Sequence, residues 1–188
     1  MAGIEGSVLP LSGALVGIEG ACEEVDLAAL VETYAGLLFR VAHSVLRSRA
    51  EAEDVVQDTF VRVLERRGQL REIREMRVWL VRIAWNRALD RRRRIRPEQM
   101  DERFARELAG VSVPADQALA EAGRIEAVLG EIARLPKGER EVLLLAATEE
   151  LSSAEMGKVL GRSESATRAL LFRARTRLKE RMRTGGHG

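Results

Sequence analysis

The sequence predicts an all-α protein of two small helical domains joined by a flexible linker, and three observations lead there. Ala, Leu, Arg and Glu dominate, while β-branched residues seldom alternate with polar ones, so helical periods prevail over strand periods. Two densely periodic stretches are separated by an interval with Gly110, Pro114 and few apolar residues. Charge falls into the same blocks: residues 26–97 hold 16 basic and 10 acidic residues, 98–121 hold 2 and 6, and 122–188 hold 13 and 9. The net charge of +2 over 188 residues conceals this pattern. Two basic blocks around an acidic one fit two units that each face a polyanion, although solvated helix faces would give the same count.

Composition excludes several classes. A single cysteine, Cys22, permits neither an intrachain disulfide framework nor a thiolate zinc site. No apolar run approaches the ~18 residues of a membrane span, so no membrane insertion is expected. No Lys or Arg precedes Arg40, which removes the basic start of a secretory signal. The setting expected is reducing and cytoplasmic. With two histidines, His43 and His187, no Gly-rich phosphate loop and no metal-ligand cluster, neither an enzyme nor a metal or other cofactor is expected.

The elements follow in order. Gly3, Gly6, Pro10, Gly13, Gly17 and Gly20 interrupt any period in residues 1–25, which read as a flexible arm. Helices are expected over about 27–47, 51–66 and 75–95, with the Arg-rich 67–74 stretch between the last two and Pro97 closing the unit. Residues 98–121 read as the acidic linker, with at most a short helix near 101–108. The second unit, 122–183, should hold helices near 122–134, 137–147, 153–160 and 164–182, and the tail 184–188 should fray.

In the first unit, Ala52, Val55, Val56, Phe60 and Val63 make a core stripe, while Asp54, Gln57, Asp58, Val61 and Glu65 share the opposite side. An acidic patch in a basic unit is a poor DNA surface and a reasonable protein-docking surface, or else an ordinary solvated face. On the next helix, Trp79, Arg82, Asn86, Asp90 and Arg93 form a narrow stripe opposite the apolar Leu80, Val81, Ala84, Trp85, Ala88 and Leu89. An aromatic, an amide and guanidiniums together suit unpaired nucleic acid, and Arg91–Arg94 add phosphate charge. Alternatively, Trp79 is core and Asn86 a plain surface residue.

The second unit reads as a helix-turn-helix. Ser152 and Glu155 have capping-box spacing, Gly161 ends that helix, and Ser163 starts another. On the last helix Thr167, Leu170, Leu171, Ala174, Leu178 and Met182 face inward. Ser165, Arg168, Ala169, Phe172, Arg173 and Thr176 face outward. Small and basic residues on a recognition helix allow close approach to a major groove and contact with guanine edges or phosphates. The same arginines would also suit a solvent-facing bundle helix.

The segment Ala52-Glu53-Asp54-Val55-Val56-Gln57-Asp58-Thr59-Phe60, followed by Trp79-Leu80-Val81-Arg82-Ile83-Ala84-Trp85-Asn86 and Asp90, resembles region 2 of bacterial RNA polymerase sigma factors. Leu135-Pro136, Arg140-Glu141-Val142-Leu143-Leu144-Leu145 and the stretch Leu171-Phe172-Arg173-Ala174-Arg175 resemble their region 4. The two regions joined by a short linker resemble the extracytoplasmic-function (ECF) group over residues 27–183. The resemblance implies core-polymerase docking on the clamp helices by Glu53, Asp54, Gln57 and Asp58. It implies capture of the −10 element by Arg71, Arg74, Trp79, Arg82, Asn86 and Arg93. It further implies reading of the −35 element by Arg162, Ser165, Arg168, Ala169, Phe172 and Arg173. Expected partners are core polymerase (clamp helices and flap), promoter DNA and an anti-sigma factor, without an obligate homo-oligomer. Two departures stand out: the recognition-helix start Arg162-Ser163-Glu164-Ser165-Ala166-Thr167-Arg168 differs from the more usual form, and the 1–25 arm lacks a counterpart.

Two other functions compete. A dimeric helix-turn-helix repressor would leave the Trp79–Asn86 stripe and the acidic face without a role. An enzyme would have to use the carboxylates Glu53, Asp54 and Asp58, of which the first two point to different helix faces.

Overall fold

The computed structural model describes residues 26–94 and 115–185, with side chains from 124 to 183 in the second block. The 1–25 arm, the short helix expected near 101–108 and the last three residues of the tail lie outside the described residues. Asp26 opens α1 (Leu27–Leu46) by accepting hydrogen bonds from the backbone of Ala28 at 2.9 Å and Ala29 at 3.3 Å. Ser48 caps α2 (Arg49–Glu65). A 3-10 helix, Arg67–Glu72, then leads to α3 (Met76–Arg94), so the Arg-rich connection is itself wound, with Leu70 buried beneath it.

These three helices share one core. Leu38, Val41, Val45, Val55, Val63, Leu80 and Val81 are fully buried or nearly so, each such side chain contributing about 1.5–3 kcal/mol. By length and composition α1 could cross a membrane, contrary to the expectation from apolar runs. It carries Glu32 and Arg40, however, and packs six of its residues, Leu37 to Leu46, against α2 and α3 as a core helix does. Thr59, unassigned in the periodic reading, is buried within the α2 stripe because its hydroxyl donates to the Val55 carbonyl at 2.7 Å.

The second bundle comprises α4 (Ala115–Ala133), α5 (Lys137–Ala146), α6 (Ser153–Leu160) and α7 (Glu164–Gly185). Two boundaries correct the sequence reading. The helix α4 begins at Ala115 rather than near 122, because Pro114 is tolerated just before a helix and the Ala-rich run beyond it propagates. The last helix runs on through Thr184 to Gly185, where fraying was expected. Ser152 and Glu155 form the complete capping box, and Gly161 closes α6 at φ +66°, a left-handed conformation costly for any residue with a Cβ.

The two bundles also pack on each other, α3 against α6 and α1 against α5. Arg77 donates to the Glu150 carbonyl, and its Nε lies 3.5 Å from the Glu155 carboxylate. Lys158 pairs with Glu75 and Arg40 with the Glu150 carboxylate. Further along, Arg47 donates to the Leu129 carbonyl at 3.3 Å.

Candidate nucleic-acid interface

The turn between α6 and α7 holds the helix-turn-helix together. The Ser163 hydroxyl accepts from the Ala166 backbone at 3.2 Å, capping α7 as its position foretold. Thr167 and Ala174 are fully buried, whereas Ser165, Arg168, Ala169, Phe172, Arg173 and Thr176 are exposed. Phe172, 72% exposed, is the most open of the exposed large hydrophobic side chains. Met182, expected inward, is 39% exposed in the last turn of its helix.

Outward arginines of α7 differ in their tethers. Arg168 pairs with Glu164, one turn earlier on the same helix. Arg173 lies 4.0 Å from Glu139, which is 5% exposed and also pairs with Arg177 at 3.1 Å. Arg162 is exposed beside the start of α5. The sites expected to face DNA therefore share one surface, rooted at one end by a buried carboxylate that sequence periodicity did not single out.

On α2, Glu53, Asp54 and Gln57 are exposed and Asp58 half-exposed, with Val61 at 52% beside them. This acidic face is partly neutralised. One Arg91 guanidinium reaches from α3 to Glu51 at 2.9 Å and to Asp54 and Asp58 at 3.0 Å each. Burial alone would lower the Arg91 pKa, but its bonds to Asp54, Glu51 and Asp58 outweigh that and hold it above the ordinary value. Glu53 is engaged separately, by Arg49 at 2.8 Å. Of the Arg91–Arg94 run, Arg91 is thus engaged by the α2 carboxylates in this arrangement. The spacing held a signal for this: Arg91 falls on one helical line with the buried Ala84 and Ala88.

On α3, Asn86 is exposed and Trp79 half-buried against the core. Arg71 and Arg74 are exposed on and beside the 3-10 helix. Arg93 pairs with Asp90 at 3.4 Å within the stripe. Arg82 is exposed yet donates to the Lys158 carbonyl of α6, so in this arrangement the second bundle holds it. Val78, outside the expected core, is buried.

Gly157 was also missed. A Cβ there would lie 2.8 Å from the Arg162 carbonyl oxygen, so a bare backbone is what lets α6 approach the turn. A glycine inside an otherwise helical period was its sequence signal. Among the described residues no group of three His, Cys, Asp or Glu could hold a metal, and the Asp54–Asp58 carboxylates are spanned by a guanidinium instead.

Comparison with known proteins joins these faces to a family. The sequence family described as Sigma-70 region 2 matches residues 30–98, and Sigma-70, region 4 matches residues 125–178. The chain is 28% identical to the ECF RNA polymerase sigma factor SigW of Bacillus subtilis, over 83% of this chain and 88% of that protein. It is 32% identical to the RNA polymerase sigma factor CnrH of Cupriavidus metallidurans, over 79% of this chain and 82% of that protein. A solved structure of CnrH in complex with the cytosolic domain of CnrY superposes with a TM-score of 0.60 at 28% identity, covering 84% of this chain and 88% of that one. With both sigma regions present in order on two helical bundles, the chain belongs to the ECF group of RNA polymerase sigma factors and serves promoter-specific initiation of transcription.

Proposed function

We propose that the domain of residues 26–97 docks on core polymerase and captures the −10 element, and that the domain of residues 122–183 reads the −35 element. Residues 1–25 act as arm, 98–121 as the acidic linker that runs into the start of α4, and 184–188 as the tail beyond the body of α7. Glu53, Asp54, Gln57 and Asp58 form the docking face for the clamp helices. Arg91 orients two of its carboxylates while leaving Gln57 and Val61 open to a partner. Arg71, Arg74, Trp79, Arg82, Asn86 and Arg93 meet the non-template strand as the promoter melts. Arg162, Ser165, Arg168, Ala169, Phe172 and Arg173 face the −35 duplex, with Phe172 as the apolar contact for a thymine methyl.

The observation that carries this reading is the exposed face of α7, where small, basic and aromatic side chains stand over a capped turn. The factor itself performs no catalysis and works in the cytoplasm. An anti-sigma factor is its expected regulator, a reading supported by the CnrH structure, which contains a partner's cytosolic domain.

Strand capture is tested at Asn86. Its amide both donates and accepts, so it can pair with an unstacked base edge. Arg82 must exchange the Lys158 carbonyl for the strand, whereas Asn86 is already exposed. Asn86→Ala should leave closed complexes intact and lower the open fraction, read by permanganate reactivity of −10 thymines. Normal opening on duplex promoters would remove Asn86 from the site.

A further inference from the structure

One side of the junction between the bundles is electrically matched, and another is not. On the matched side Arg77 meets Glu155, Lys158 meets Glu75 and Arg40 meets Glu150. On the other, a cleft of about 250 Å³ opens between α3 and α5, where Arg92, Arg93, Lys137 and Arg140 surround a single carboxylate, Glu141. Lys137 lies 3.9 Å from Glu141, and Arg93 is held by Asp90 at 3.4 Å. Arg140 donates to the Ala133 carbonyl at 2.8 Å but meets no carboxylate among the described residues. Arg92 is half-buried, and no described residue gives it a hydrogen bond or an ion pair. Burial, and then the positive charge of Arg140, push its pKa below the ordinary value.

Two guanidiniums lining one part-buried cleft, near enough for the charge of one to weigh on the other, are destabilised until an anion joins them. We propose that this cleft binds a compact polyanion of the di- or triphosphate class, which bridges α3 of the first domain to α5 of the second. Guanidinium forks match phosphate oxygens in pairs, whereas one carboxylate would leave most of these donors unused. A cleft smaller than the ~300 Å³ of ordinary ligand sites admits a phosphate chain, and any attached nucleoside stays outside. A nucleic-acid strand spreads one charge per phosphate along its length, while the four cations here surround one volume. The anion can be an inorganic polyphosphate or the tail of a nucleotide.

The test is calorimetric titration of the full chain with sodium tripolyphosphate at constant ionic strength. Saturable one-to-one binding is expected, weakened at least tenfold by Arg92→Gln and by Arg140→Gln. Glu141→Gln should tighten binding severalfold by removing the carboxylate that faces the anion, a gain that misfolding cannot produce. Lys179→Gln, an exposed change on α7, should leave it unaltered. ATP and GTP form the second arm: affinity equal to tripolyphosphate assigns the site to the bare phosphate chain, and tighter binding assigns it to a nucleotide. Absence of saturable heat would overturn the proposal. So would equal losses in Arg92→Gln, Arg140→Gln and Lys179→Gln, which mark diffuse attraction to a basic surface.

Discussion

On α7 the outward arginines keep partners within their own domain, whereas Arg82 of the α3 stripe is tied to the other bundle. Arg168 pairs with Glu164 four residues away, and Arg173 approaches Glu139 on the neighbouring helix. Arg82, by contrast, donates to the Lys158 carbonyl, 76 residues along the chain and in the other bundle. A helix whose side chains hold only local contacts can meet a duplex without rearrangement. One whose side chains bridge domains must first release them, so in the proposed reading the −35 face is ready and the −10 face is conditional. The difference teaches that a shared basic composition says little about which charges are available.

The largest effect separating the two domains should come from Gly157→Ala. Its Cβ would collide with the Arg162 carbonyl oxygen, so the helix-turn-helix should lose about 1–3 kcal/mol. Both tryptophans, Trp79 and Trp85, lie on α3. Their fluorescence should therefore report an almost unchanged first domain while circular dichroism shows the second melting early. Coincident loss of both signals would mean that the junction couples the two domains into one cooperative unit.

Next in size are the reading-face arginines. Arg168→Ala or Arg173→Ala should weaken binding of polymerase holoenzyme to a −35 duplex by about 1–3 kcal/mol where the lost contact is to a base, with relaxed specificity at one position. Where it is to a phosphate, all sequences weaken alike and the salt dependence becomes shallower. Arg173→Ala should show an added loss of stability, since it leaves Glu139 with Arg177 alone. Competition between duplexes at several salt concentrations separates these cases.

On the docking side, Arg91→Gln should cost about 1 kcal/mol in denaturant unfolding, because its pairs are only partly shielded from solvent. It should also change core-polymerase affinity, by freeing the carboxylates it orients. Asp58→Arg is a less clean probe than the sequence implies, since it sets a second guanidinium against Arg91. Gln57→Arg reverses no existing pair and tests docking directly.

The smallest effect concerns acid. Burial raises the Glu155 pKa, but hydrogen bonds from the Ser152 backbone and hydroxyl, with Arg77 and Lys158 nearby, bring it below the usual 4.5. A depressed folded-state pKa makes its contribution full above the unfolded value, and lost as pH falls through the folded one. The melting temperature of the second domain should accordingly drop on acidification more steeply in the wild type than in Glu155→Gln. Parallel curves would show that the capping box carries no pH dependence.

Which residues form helices, and where most of them start, was legible without a fold, the start of α4 at Ala115 being the exception. The Ser152–Glu155 capping box, the Gly161 stop, the Ser163 cap and the apolar lines of α2 and α7 are local properties, set by a period of 3.6 residues and by hydrogen bonds closed within one turn. The sequence motifs also sufficed to assign the family, since those local patterns occur in its order. Only the tertiary structure decided which charges are committed. Arg91 and Asp58 are 33 residues apart, and Arg82 and Lys158 are 76. Such pairs depend on how whole helices cross, and helical periodicity fixes a side chain's direction on its own helix but not what stands opposite. The unmatched guanidiniums of Arg92 and Arg140 arise in the same way: each is an ordinary surface cation on its own helix, and only the packing of one domain against the other brings them into one cleft.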